Sequence, residues 1–150
     1  MTHSATWDTD APPGAVWGIL ADGWTFPGWV VGAARIRAVD DGWPAVGTRL
    51  HHSVGCWPLL LDDRTEVLRC VPGSALTLRA RAVPFGLAEV ELCLESTERG
   101  CHVEMIEHVV SWPVKLLPDA VQEWAVAPRN RECLRRLALI AERATERTRG

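Results

Sequence analysis

The chain of 150 residues contains no tyrosine, two phenylalanines and a single lysine, Lys115. No apolar run approaches the ~20 residues that span a bilayer. The opening residues, MTHSATWDTD, lack the basic start and apolar stretch of a secretory signal. The expectation is a cytoplasmic protein with no membrane partner. Positive charge is not in excess: 16 basic against 19 acidic side chains leave a net charge of −3. That argues against a nucleic-acid partner recruited by bulk charge. A P-loop, a GxGxxG turn before a helix, a GxSxG elbow and an HExxH pair are all missing. Nucleotide, nicotinamide and the familiar hydrolase chemistries are therefore unsupported, and no cofactor is expected. The five cysteines, Cys56, Cys70, Cys93, Cys101 and Cys133, are odd in number and form no CxxC pair. In a reducing compartment they read as free thiols filling small apolar spaces. None has an evident base partner, so catalysis by a thiol is not the leading reading.

What is present is an ordinary globular composition, 47% hydrophobic and 23% charged, with eight tryptophans. Tryptophan brings a large apolar face and one N–H donor, which suits a plain core or a pocket for flat apolar ligands. The length suits one domain over residues 1–150, and no repeat, linker or low-complexity tract divides it. The tail ATERTRG, 144–150, is expected to fray.

Residues 3–9 alternate as a first strand. APPGAVWGILAD (11–22) opens on paired prolines suited to a helix start and carries an apolar face of Val16, Trp17, Ile19 and Leu20. GWTFPGWV (23–30) is punctuated by Gly and Pro and reads as a short helix or loop. The period then changes to two. Strands are expected at 34–40, 48–54, 59–68, 76–83, 87–96 and 101–113. A turn centred on Trp57 and Pro58 joins the second to the third of these, and turns at CVPGSA and PFG follow. Polar residues alternate with Leu76, Leu78, Ala80 and Ala82, and again with Ala88, Val90, Leu92 and Leu94. This is the pattern of antiparallel strands with one wet face. From 119 to 146 the period is helical, with Val121, Trp124, Cys133, Leu134, Leu137, Ile140 and Ala141 on one side. Pro128 falls inside and is expected to kink or split the helix. Arg131, Arg135, Arg136 and Arg143 fall on its wet side. Only that helix is long enough to cover the apolar face of the sheet.

The order of strand, short helices, antiparallel strands and long C-terminal helix resembles the helix-grip fold of the START-like (SRPBCC) superfamily. That group includes pollen-allergen proteins, lipid-transfer domains and polyketide cyclases or aromatases. The phrases DTDAPPGAVWGILAD, FPGWVVGAARIRAVDDGWPAVGTRLHHSVG and RNRECLRRLALIAE are similar above all to the small bacterial polyketide cyclase/dehydrase-like proteins. The resemblance implies an α+β fold in which a curved antiparallel sheet of about seven strands wraps the C-terminal helix. It also implies an internal cavity between the two, filled by a small hydrophobic or aromatic molecule of lipid or polyketide type. The inner face lining it would present Leu78, Ala80, Val90, Leu92 and Met105. Trp24, Trp29 and Trp124 would stand at its mouth or wall.

Three polar residues fall on that inner face. In CHVEMIEHV, Glu107 shares a row with Val103, Met105 and Val109, and a buried unpaired carboxylate is costly. Leu50 and Val54 place His52 on the inner face of one strand, and Leu61, Thr65 and Val67 place Asp63 on that of the next. The hairpin turn sets Val54 opposite Leu61 and His52 opposite Asp63. A histidine held by a carboxylate keeps one tautomer and frees the other nitrogen for acid or base work. A desolvated Glu107 would have a raised pKa. His52 and Glu107 could then serve as acid and base in aldol closure or dehydration of a polyketide-like substrate. The same groups would equally orient a ligand that never reacts. They also fit a structural cross-strand pair and a Glu107–arginine brace, and a cochaperone-like interaction domain with a vestigial cavity is a further alternative. No metal is expected, because His51 and His52 point to opposite faces. Monomer and homodimer are both compatible with the sequence.

Overall fold

The computed structural model describes residues 2–56, 58–82, 86–110 and 118–150. Seven strands form one antiparallel sheet: β1 (Thr2–Thr9), β2 (Ala33–Val39), β3 (Arg49–Cys56), β4 (Leu59–Val71), β5 (Ala75–Ala82), β6 (Gly86–Ser96) and β7 (Cys101–Val109). Their spatial order is β1-β7-β6-β5-β4-β3-β2. Successive strands from β2 to β7 are thus neighbours, and β1 closes the far edge against β7. Three helices complete the chain: α1 (Pro13–Ala21), α2 (Phe26–Trp29) and α3 (Asp119–Arg149). Pro13 stands at the start of α1, where its missing N–H and fixed φ cost nothing.

Between α1 and α2 the chain makes one 3₁₀ turn at Gly23–Thr25, capped by the Asp22 side chain, whose Oδ1 accepts the Trp24 N–H at 3.1 Å. Gly23 lies hard against β3: a Cβ there would come within 2.4 Å of Leu50 Cδ2. The close approach seats α2, with Phe26 and Trp29, over the sheet.

The core joins Val16, Leu20, Phe26 and Trp29 from the short helices to Leu50, Val67, Leu76, Leu92 and Val103 from the sheet. Cys133, Leu134, Leu137 and Ala141 from α3 complete it.

Two expectations need correction. The final strand ends at Val109; Ser111 to Pro113 lie outside the described residues, as do Trp57 at the β3–β4 turn and Val83 to Phe85 in the β5–β6 turn. The C-terminal helix is neither split nor ended by Pro128, but runs unbroken from Asp119 to Arg149. Pro128 is exposed, and the residues after it are tied to the rest of the molecule by the buried side chains of Asn130, Cys133, Leu134 and Leu137. That packing outweighs the lost backbone hydrogen bond. Among the described residues no helix is long and apolar enough to cross a membrane.

Candidate functional site

Helix α3 rests on β1, α1 and α2, and touches the middle of the sheet little. The strands β3 to β6 therefore curve away from its N-terminal half and leave a cavity of about 550 Å³. That is within the range of small-molecule sites. Its roof is Phe26, Trp29 and the residues that follow, Val30 to Ala33. Its floor is His52 and Val54 from β3, Leu61 and Thr65 from β4, Leu78, Ala80 and Arg81 from β5, Ala88 and Val90 from β6, and Met105 and Glu107 from β7. Arg129, Asn130 and Cys133 of α3 close one side. Small residues at Gly32, Ala33, Ala80 and Ala88 leave unfilled the space that larger side chains would occupy.

Along β7 the buried residues are Cys101, Val103, Met105, Glu107 and Val109, so Glu107 does stand in the core-facing row. Its burial is compensated from the helix. Arg129 Nη2 donates to Glu107 Oε2 at 2.5 Å, and Asn130 Nδ2 donates to the same oxygen at 2.7 Å. Arg129 in turn spans Asn130 Oδ1 with Nε at 3.2 Å and Nη2 at 3.0 Å. Charge-assisted bonds of this kind are the strong ones, and a buried carboxylate needs them. Both fall on Oε2; Oε1 accepts no hydrogen bond from any described residue.

The β3–β4 register is the one read from the sequence: Val54 lies opposite Leu61 and His52 opposite Asp63. The hydrogen bonding is not. His52 Nε2 lies 2.8 Å from Thr65 Oγ1, one inward position further along β4. Asp63 Oδ1 is turned to the N–H of Arg64 at 2.7 Å, while His52 Nδ1 and Asp63 Oδ2 are both buried without a hydrogen-bond partner among the described residues. Thr65, not Asp63, thus orients the imidazole. Burial pushes His52 below its ordinary value of 6.5, and the nearby Asp63 charge offsets only part of that. The imidazole is accordingly neutral at neutral pH. Phe26 lies over it with ring centroids 5.4 Å apart. On the other side of the strand His51 Nε2 meets Asp40 Oδ1 at 2.9 Å, so the two adjacent histidines do face opposite ways.

Of the side chains expected around a cavity, Trp29, His52, Leu78, Ala80, Val90, Met105 and Glu107 lie on its wall. Four do not. Asp63 is buried beside it, and Leu92 is sealed in the core beneath. Trp24 and Trp124 are 61% and 81% exposed and stand away from it. Trp24 sits in the 3₁₀ turn that Gly23 pins by its backbone, and Trp124 precedes the part of α3 that is packed down. Sequence reasoning missed Phe26, Arg81, Arg129 and Asn130 as wall residues, and used Thr65 only to mark the inner face. Asn130 left a signal: it stands three and four residues before Cys133 and Leu134, inside the apolar stripe of α3. Cys133 also reaches the wall. Its sulfur accepts the Val31 N–H at 3.3 Å, and burial pushes its thiol up, away from a reactive thiolate.

No protein-family model and no curated protein matches the chain. Solved structures do. A protein from Nitrosomonas europaea superposes with a TM-score of 0.76 at 14% identity, covering 97% of each chain. The di-domain ARO/CYC StfQ from the steffimycin biosynthetic pathway matches with a TM-score of 0.74 at 10% identity, over 97% of this chain and 51% of that one. Ara h 8.0201 matches at 0.69 and 13% identity, over 94% and 97%. The chain shares its helix-grip fold with these proteins: a curved antiparallel sheet and a long C-terminal helix.

Proposed function

We propose that this helix-grip domain binds a small hydrophobic or aromatic molecule, lipid-like or polyketide-like, between its sheet and α3. The observation that carries the reading is the cavity of about 550 Å³, apolar over most of its wall, with one polar cluster of Glu107, Arg129 and Asn130. Apolar surface supplies the affinity in such a site, and a few placed polar groups fix orientation. Glu107 Oε1 is the acceptor offered to a hydroxyl or amine of the ligand. An interaction domain with a vestigial cavity is supported less, because such a domain gains stability by filling the space.

The test is native mass spectrometry of protein purified gently from its own host, followed by denaturation of the same sample. The expected result is an added mass that disappears on denaturation. Filling the space by Ala80→Trp should remove it. Uptake unchanged in that variant would place the ligand elsewhere.

A turnover reading, with Glu107 and His52 as acid and base on a polyketide-like substrate, is supported by the ARO/CYC neighbours and by Glu107 Oε1, to which no described residue donates. His52 supports it less: Nε2 is engaged with Thr65, and Nδ1 is buried. In the turnover reading Glu107→Gln abolishes conversion of a poly-ketone while the ligand still binds. Conversion at the parental rate would remove Glu107 from the chemistry.

A further inference from the structure

Inward-facing polar side chains meet the cavity at two places. Glu107, Arg129 and Asn130 come from β7 and α3, and His52 and Thr65 come from β3 and β4. Strand order keeps the two apart: β6 and β5 lie between β7 and β4, and β3 lies beyond β4. The inward wall residues of β5 and β6 are Leu78, Ala80, Ala88 and Val90, all apolar. Four strand spacings of about 4.8 Å put Glu107 and His52 about 19 Å apart along the sheet. Curvature of the sheet and the inward reach of both side chains bring their polar atoms nearer. The cavity thus has two polar ends and an apolar middle.

The second end is not a closed structural pair. The His52 ring is bonded to Thr65 at 2.8 Å and packs on Phe26, and both of those side chains belong to the cavity wall. The residue is 3% exposed, and its Nδ1 has no hydrogen-bond partner among the described residues. A buried nitrogen left this way costs free energy that a ligand group recovers. The burial that keeps the imidazole neutral leaves one ring nitrogen a donor and the other an acceptor. A hydroxyl both donates and accepts, so it satisfies Nδ1 in either tautomer. An anion fits less well there, because the Asp63 carboxylate lies opposite His52 in register. At the first end, Glu107 Oε1 accepts from no described residue and takes a donor.

We infer that the ligand is an elongated, uncharged molecule with a hydroxyl at each end, one donating to Glu107 Oε1 and the other held by His52 Nδ1, its apolar body lying across β5 and β6. The inference rests on the cavity-binding reading and names the class of molecule that site takes. Phe26 and Trp29 above and Ala80 and Ala88 below bound a slot that suits a flat body. His52 and Thr65 gain a role in specificity that needs no acid–base chemistry.

The test is calorimetric titration with 4,4′-dihydroxystilbene and 4-hydroxystilbene, which share a body and differ by one terminal hydroxyl. One recovered hydrogen bond predicts about tenfold tighter binding of the diol. His52→Leu should erase that gain and leave 4-hydroxystilbene affinity unchanged, since Glu107 still takes its one hydroxyl. His51→Leu, on the outer face of the same strand, should leave both affinities unchanged. Ring-nitrogen NMR of the wild-type protein gives a reading that requires no variant. The diol should shift a histidine nitrogen that the monohydroxy compound leaves in place. Equal affinities of the two compounds for wild type would overturn this inference and leave the cavity reading standing. A gain that survives His52→Leu would overturn the assignment to His52. If neither compound binds, the cavity reading falls as well.

Discussion

Glu107 carries the most informative environment in the molecule. Its carboxylate is held by one cation and one amide from α3, so removing either leaves a buried acceptor short of donors. Asn130→Ala should cost about 2 kcal/mol, the penalty of an unmade buried hydrogen bond. Arg129→Leu should cost more, about 3 kcal/mol, because it leaves a buried charge without a counterion. Urea unfolding ranks the two, and a neutral result for Arg129→Leu would mean that the carboxylate finds another donor. His52 gives a pH prediction. Its value is lowered by burial in the folded state, so between the folded and unfolded values the unfolded chain binds the extra proton. Stability from this residue is fully present above about 6.5 and is lost as pH falls through the folded value. His102 runs the other way: its hydrogen bond to Asp8 raises it, and its contribution is lost as pH rises. Unfolding midpoints of wild type minus those of His52→Gln isolate the first effect. That difference should shrink on acidification, and a difference independent of pH would refute it. At this scale the sequence named Glu107 and its inward face from alternation alone. It could not name Arg129 and Asn130, which approach from an element 22 and 23 residues further along the chain.

Elements were legible wherever one period held. The alternation in ALTLRARA and LAEVELCLES reports two strands because their outer faces are wet and their inner faces apolar, and both strands form as expected. Of the kink or split expected at Pro128, the split does not occur: the local cost of about 3 kcal/mol for proline in a helix interior is outweighed by the packing of the residues after it. Glycine gives two opposed predictions. Gly18 in α1 has nothing within 4 Å of an added Cβ, so Gly18→Ala should stabilise by about 0.5–1 kcal/mol through helix propensity. At Gly100 an added Cβ would meet the Thr9 carbonyl oxygen at 2.3 Å and the Asp10 backbone at 2.6 Å. Backbone cannot give way as a flexible side chain can, so Gly100→Ala should destabilise and loosen the junction of β1 with the turn before β7. Thermal unfolding of the two variants should move in opposite directions, and equal shifts would sink the argument.

The whole molecule is a sheet and a helix that meet at one end and part at the other. An unfilled apolar space lowers stability, since its lining lacks contacts on one side. A ligand restores them and binds only the folded state, so at a hundredfold excess over its Kd it should stabilise by about 2.7 kcal/mol. The unfolding temperature should then rise with 4,4′-dihydroxystilbene concentration in wild type and not in Ala80→Trp. A rise of equal size in both would show binding outside the cavity. The division of labour between sequence and fold follows from range. Periodicity, turn residues and composition are local, and by themselves they determined the strands, the helices, the inward rows and the β3–β4 register. Which inward polar group pairs with which, and whether the inner face is packed or hollow, depend on contacts between residues far apart in the chain. Those contacts are set only when α3 settles on β1 and the short helices instead of on the middle of the sheet, and the tertiary structure alone decided them.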